Sequence, residues 1–262
     1  MKGHSTATRH NASMNDARLI KVGVFGAKGR MGSEVCRAVS ADDELELVAQ
    51  VDLDDSPQAL VDAGAQVAVD FTTPDAVKQN IRFCLDNGIH SVVGTTGLSD
   101  DDRTEIYSWT TASSANVFIA PNFAIGAILM MDFAARAAAH FDTAEIVERH
   151  HERKLDAPSG TALRTAELMN EARTEPWKTP AGETETLRGS RGGDVGGIHI
   201  HSLRLPGSVA HQEVVLGVAG ETLTIRHDSL DRASFMPGVM LAVKKVSSLD
   251  GLTVGLEKLL DL

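Results

Sequence analysis

The sequence predicts an α/β chain, with a doubly wound parallel sheet first and a second α+β domain with a mixed or antiparallel sheet after it. Three observations carry this. From Leu19 to about Asn122, β-like runs alternate with helical stretches, the pattern of successive βαβ units. Beyond Asn122 the alternation stops, and three strand-like runs follow one another almost directly. The chain has 262 residues, enough for one large domain or two small ones.

Taken in order, residues 1–18 are polar and aperiodic and read as a disordered extension, with Met14 a candidate start. Leu19–Phe25 is a short apolar strand ending in a glycine turn, Gly26 to Gly32. A helix follows to about Ser40, with Met31, Val35 and Val39 on one face. Leu45–Val51 is a strand closed by Asp52, and Gln66–Phe71, Ser91–Val93 and Val117–Ala120 are further strands, separated by helices near 74–87 and 99–112. An Ala-rich helix at about 124–140 reads as a packing or subunit surface. A strand then runs into Glu148, a helix starts near Ser159, and a glycine-rich loop spans Arg188–Gly193. Ile198–Leu205, Gln212–Val218 and Glu221–His227 are strands, followed by a helix over Arg232–Val246 and a last strand, Leu252–Val254. The expected division is 19–123 with 233–262 as one domain, and 124–232 as the other.

Composition narrows the function. The net charge is −11, so no basic face can dominate and a nucleic-acid partner is not expected. Aromatics at 4% leave little for base stacking. The most apolar stretch, Phe123–Phe141, carries Asp132, Arg136 and His140, which counts against a membrane span. Two cysteines, Cys36 and Cys84, are too few for a disulfide framework and read as core residues of helices. Residues 1–18 lack the apolar core of a secretory signal. A cytoplasmic protein is the expectation.

Strand, glycine turn and helix in that order is the Rossmann-type geometry that sets free backbone N–H groups and a helix dipole against a pyrophosphate. Here Gly26, Gly29 and Gly32 space it as G-x-x-G-x-x-G, and an ordinary turn is the competing reading. Asp52 closes the second strand where an acid would accept hydrogen bonds from ribose hydroxyls; a loop or capping acid is its alternative. Asp52 would repel the 2′-phosphate of NADP, whereas Lys28 and Arg30 could neutralise it, so both NADH and NADPH are expected to serve. The strand ends at Phe71–Pro74, Gly94–Gly97 and Ala120–Phe123 fall on the ligand-binding edge of such a sheet. Gly94-Thr95-Thr96-Gly97 offers close backbone approach and two hydroxyls, suited to the nicotinamide half.

The segment His150-His151-x-x-Lys154-x-Asp156-Ala157-Pro158-Ser159-Gly160-Thr161 places two imidazoles and an amine just before a well-marked helix start. Free N–H groups at Gly160 and Thr161 can bind a carboxylate, and His150, His151 and Lys154 add positive charge and transferable protons. An anionic, carboxylated substrate that needs protonation follows. A zinc-protease helix would need a histidine at 155, where Leu155 stands, and no metal site is expected. His199 and His201 share a strand face, where packing competes with ligation.

These motifs, with Ser229-Leu230-Asp231-Arg232-x-Ser234-Phe235-Met236-Pro237-Gly238, resemble those of the bacterial dihydrodipicolinate reductases (4-hydroxy-tetrahydrodipicolinate reductases), in an actinobacterial form, from about Leu19 to Leu262. The resemblance implies NAD(P)H-dependent reduction of a cyclic dicarboxylate in lysine and diaminopimelate synthesis, by a homotetramer built on the C-terminal sheet. It implies that His150 is a proton donor/acceptor and Lys154 a proton donor, with His151, Gly160 and Thr161 holding the substrate. Cofactor positions by the same route are Gly26, Ala27, Lys28, Gly29, Arg30, Met31, Asp52, Gly94, Thr95, Thr96, Ala120, Pro121, Asn122 and Phe123, with Arg232 and Phe235 approaching. Leu53 departs from the family's frequent basic residue after the acid, which leans the expectation toward NADH or dual use. Two rivals differ in class: another two-domain NAD(P) dehydrogenase of an amino-acid-derived acid, and a nucleotide-sensing protein without chemistry. The intact His150-to-Thr161 segment tells against both.

Overall fold

The computed structural model describes residues 19–178, 184–260 and 262; the extension expected at 1–18 lies outside them. Two sheets organise the chain. The first is built from β1 (Ile20–Phe25), β2 (Leu45–Val51), β3 (Val67–Asp70), β4 (His90–Val93), β5 (Val117–Ile119) and β11 (Leu252–Val254), in the order β11-β5-β4-β3-β1-β2. Every pair in it is parallel. Its strands are nearly continuous apolar runs because helices cover both faces, and Val22, Val24, Val69, Val92 and Phe118 are fully or almost fully buried. The strand order reverses between β1 and β3, so their carboxyl ends diverge and leave a crevice.

The connecting helices are α1 (Arg30–Ser40), α2 (Gln58–Asp62), α3 (Pro74–Asp86) and α4 (Asp100–Thr110). Val35 and Val39 bury the inner face of α1, while Met31 is half-buried at its start. A capping box fixes the start of α4: Ser99 accepts from the Asp102 N–H and Asp102 reaches back to the Ser99 N–H. The short helix α2 carries only Leu60 into the core, too little apolar period to register in the sequence.

The second sheet contains β6 (Thr143–His150), β7 (Gly193–Val195), β8 (Ile198–Arg204), β9 (Ala210–Val218) and β10 (Glu221–Ser229), ordered β10-β9-β6-β8-β7. β6 and β8 are parallel and the other pairs antiparallel, so the sheet is mixed. One face, with Ile146, Ile198, Ile200, Val214 and Leu216, packs under α5 (Ile125–Ala138) and α6 (Gly160–Glu171). The small residues Ala127, Ala134 and Ala138 let α5 approach its neighbours closely, and all three are buried. The opposite face carries Val147, Leu203 and Val215, none of them fully buried, and Arg191 of the glycine-rich loop reaches Glu145 on it. The helix expected over Arg232–Val246 is divided into a 3-10 turn at Arg232–Phe235, α7 (Met236–Lys245) and a second 3-10 turn. Pro237 lies in the first turn of α7, where its missing N–H costs nothing.

Candidate active site

The glycine turn is shaped by contacts that only glycine permits. Gly26 has φ of 68°, and its N–H donates to the Val51 carbonyl at 2.8 Å. A β-carbon on Gly32 would lie 2.0 Å from the Gly26 carbonyl oxygen. Gly29 caps α1 without a side-chain acceptor, and no acid stands in the first helical turn. The N–H groups and dipole at this helix start therefore favour an anion. Asp52 Oδ2 accepts from the Lys28 N–H at 2.7 Å and Oδ1 from the Leu53 N–H at 3.0 Å. Those backbone donors hold its carboxyl below the usual carboxylate range. Leu53 is 93% exposed beside it, and Lys28 and Arg30 are exposed in the turn. This donor set fits a dinucleotide.

Further along the same edge, a β-carbon on Gly94 would fall 2.0 Å from the Phe71 ring, so any side chain there would displace that ring. Asp70, 2% exposed, collects the Thr72 N–H and hydroxyl, Asn80 Nδ2 and, at 2.9 Å, the Thr95 hydroxyl. The two hydroxyls expected here are thus unequal: Thr95 is tied to Asp70, and Thr96 is exposed. Phe123 is also placed differently from a ligand-facing side chain. Its ring is buried against Phe71 and Phe118, with centroids 5.9 and 6.1 Å away. Ala27 and Ala120 are likewise buried, so all three can offer a ligand only backbone.

Across the crevice, β6 delivers His150 and the following loop delivers Lys154. His150 Nδ1 lies 2.6 Å from Glu148 Oε2, and Lys154 Nζ lies 2.8 Å from both carboxylate oxygens of Asp156. The lysine holds the Asp156 carboxyl below its ordinary range. Ser159 caps α6, its hydroxyl accepting from the Ala162 N–H, which leaves Gly160 and Thr161 on the first turn facing a cavity. Burial lowers the His151 imidazole, and its Nδ1 has no protein partner.

The cavity is about 840 Å³ and gathers residues from both sheets. Thr95, Thr96, Pro121 and Asn122 line one wall; His150, Lys154, Gly160 and Thr161 line the other. Asn122 spans the two, its Nδ2 donating to the Thr161 hydroxyl at 3.2 Å while Oδ1 accepts from the Ala124 N–H. A smaller cavity of about 310 Å³ shares His150, Lys154 and Thr161 with it and extends to His151, Met31, Arg232 and Phe235. Gly26 to Arg30 and Asp52 line neither cavity and lie along the open groove of the glycine turn.

Other residues stand apart from this constellation. His201 Nε2 meets Glu145 at 2.8 Å on the face of the second sheet away from α5 and α6, and no cluster of metal-ligating side chains occurs among the described residues. Cys36 and Cys84 are free and buried, and burial pushes the Cys84 thiol up to about 12. No helix of the described residues is long and apolar enough to cross a membrane. Sequence reasoning missed Asp70, Glu148 and Arg204. Glu148 stands two residues from His150 on one strand and hence on the same face, a spacing that could have revealed it; Arg204 left no such signal.

Known proteins resemble this chain along both of its sheets. Residues 20–123 match the family described as dihydrodipicolinate reductase, N-terminus, and residues 126–260 match dihydrodipicolinate reductase, C-terminus. A 4-hydroxy-tetrahydrodipicolinate reductase of Mycolicibacterium vanbaalenii is 52% identical over 244 residues, covering 93% of this chain and 100% of its own. One from Streptomyces griseus is 54% identical over 246 residues, covering 93% and 98%. The dipicolinate-bound dihydrodipicolinate reductase from Paenisporosarcina sp. TG-14 superposes with a TM-score of 0.83 at 38% identity, over 92% of this chain and 99% of that one. With both halves matched and full-length relatives above 50% identity, this chain belongs to the dihydrodipicolinate reductase family.

Proposed function

We propose a division of labour among these residues for the family's reaction, the NAD(P)H-dependent reduction of 4-hydroxy-tetrahydrodipicolinate to tetrahydrodipicolinate. As a member of the family the chain is an NAD(P)H-dependent oxidoreductase of diaminopimelate and lysine synthesis. The observation that carries the assignment of roles is the single cavity in which the strand ends of one sheet face His150, Lys154, Gly160 and Thr161 from the other.

Gly26 to Met31 and Asp52 would hold the dinucleotide, and Gly94 to Thr96 with Ala120 to Phe123 would hold its nicotinamide end, largely through backbone. The bound nicotinamide supplies a hydride. The N–H groups at the start of α6 and the His151 ring hold the carboxylates of the substrate, which the helix dipole favours. The Paenisporosarcina relative binds dipicolinate, which supports a dicarboxylate as the ligand class. His150 exchanges a proton at its cavity-facing nitrogen. Lys154 delivers the proton that completes reduction, turning its ammonium from Asp156 toward the substrate. Asn122, bonded to Thr161, keeps the two walls in register. Both NADH and NADPH serve: Asp52 favours the free ribose, Lys28 and Arg30 can meet a 2′-phosphate, and Leu53 adds no charge to decide between them.

The residues 19–123 and 233–262 form the dinucleotide-binding domain in this reading, because β11 pairs with β5, and 124–232 form the substrate and assembly domain. The face of the second sheet away from α5 and α6, with Val147, Leu203 and Val215, is the self-association surface of a homotetramer. The protein works in the cytoplasm, in keeping with two buried free thiols.

A coupled assay tests the activity. Dihydrodipicolinate synthase makes the labile substrate from pyruvate and aspartate semialdehyde, and loss of NADH or NADPH absorbance is followed on adding this protein. Oxidation of both cofactors is the expected result. Calorimetric NADH binding without oxidation would instead favour a nucleotide sensor. Light scattering on the purified protein should give four times the chain mass, and a monomer would refute the assembly.

A further inference from the structure

Glu148 is fully buried behind His150 and takes no part in the chemistry assigned above. Residues 148 and 150 share a face of β6, which turns the carboxylate toward the imidazole. Donors of His150, Arg204, Ser159 and Ser202 converge on it. His150 Nδ1 and Arg204 Nη1 approach Oε2 at 2.6 and 2.9 Å, while Arg204 Nη2 and the Ser159 N–H approach Oε1 at 2.9 and 3.2 Å. Burial alone would raise this carboxyl, but the hydrogen bonds from His150 and Arg204 outweigh it and hold it at about 2.

Arg204 extends the reach of the carboxylate. Its Nη2 also donates to the Asp156 carbonyl at 2.5 Å, and the Asp156 side chain grips Lys154. Ser159 is the cap of α6, whose next residues are Gly160 and Thr161. One buried anion therefore touches, directly or through one arginine, all three segments of the wall: the His150 strand, the Lys154 loop and the α6 start.

We propose that Glu148, with Arg204 as its counter-ion, is the positioning residue of this site, fixing His150 with its proton on Nδ1 and its Nε2 free toward the cavity. An ionised carboxylate only accepts, so the nitrogen facing it must carry hydrogen. The same charge steadies the imidazolium when Nε2 takes a proton. The other carboxylates lining the cavity with His150 are Asp132, Asp156 and Glu257. None of them meets His150 Nδ1 as an acceptor, so Glu148 alone sets the tautomer. The inference rests on His150 as the proton-exchanging group.

The test begins with the unaltered protein. Nitrogen-15 NMR of histidine-labelled enzyme, with the His150 signal assigned by its loss in His150→Gln, should show Nδ1 protonated and Nε2 unprotonated when the ring is neutral. A ring protonated on Nε2 would overturn the proposal. Glu148→Gln keeps the shape but removes the charge. It should lower kcat by about 10²- to 10⁴-fold with NADH affinity within threefold of the original. Unchanged kcat in a folded variant would also overturn it; if the variant does not fold, the tautomer of the unaltered protein decides. Full turnover in His150→Ala would instead refute the proton-exchange role of His150, a failure the NMR experiment does not share.

Discussion

Gly32→Ala perturbs the dinucleotide groove at one atom, and its consequence can be worked from the structure. The added β-carbon would sit 2.0 Å from the Gly26 carbonyl oxygen, 2.7 Å from its carbon and 2.9 Å from Ala27 Cα. All three are backbone, so no rotamer relieves the overlap. Restoring ordinary contact requires the turn to open by on the order of 1 Å, a misplacement large enough to spoil aligned donors. Overpacking of this kind costs about 1–3 kcal/mol. If the turn opens in the free protein, that cost appears as a Tm lower by about 2–4 °C per kcal/mol for a chain of this size. If ligand must close it again, the same energy weakens cofactor affinity by roughly 5- to 150-fold. Calorimetric titration with NADH and NADPH and a thermal scan on the same preparation separate the two. Both cofactors should weaken by the same factor, because in the proposed arrangement the clash lies under the pyrophosphate and not at the ribose. Unaltered Kd together with unaltered Tm would refute the reasoning that this turn holds the dinucleotide.

His150→Ala and Lys154→Ala should each lower kcat by about 10²- to 10⁴-fold and leave NADH binding within threefold, since both residues stand on the wall opposite the glycine turn. Steady-state rates with calorimetry check this, and lost NADH affinity with retained turnover would contradict it. Asp52→Ala should move preference toward NADPH, read as the ratio of the two kcat/KM values; an unchanged ratio would place the ribose contact elsewhere. Gly160→Ala should fold normally, because its β-carbon meets nothing within 4 Å. A raised substrate KM with unchanged NADH affinity is expected if a carboxylate lies against this helix start. Glu148 also predicts an acid limb of stability. Its carboxyl is held at about 2 against an ordinary 4.5, so its contribution is present above pH 4.5 and is lost as pH falls toward 2. Denaturant midpoints across that range should fall less steeply in Glu148→Gln, and parallel curves would show that another carboxylate governs acid unfolding.

Much of the fold was legible because it rests on period and punctuation. Buried parallel strands are short apolar runs, and each falls within a residue or two of its expected limits; Leu252–Val254 coincides with them. The mixed sheet could be foreseen only as to class, since consecutive strands do not reveal that β6 and β8 run parallel while β9 lies between β6 and β10. Gln58–Asp62 and Gly193–Val195 were invisible, the first for want of an apolar period and the second because it starts on a glycine at the end of a glycine-rich loop.

The site divides along a different line. Residues that must present backbone or a loose charge announced themselves, because glycine turns and a Pro-Ser-Gly-Thr helix start have few other uses. Residues that orient others did not. Asp70 and Glu148 read as ordinary strand acids, yet each is a buried carboxylate near the carboxyl end of its strand. Each binds the side chain of a cavity residue, Thr95 in one sheet and His150 in the other. Their partners Asn80 and Arg204 come from 10 and 56 positions away, a distance at which no local pattern survives. A buried carboxylate without such donors would be expelled or neutralised, so its persistence in both sheets marks where the chain spends folding energy to hold a functional side chain in one orientation.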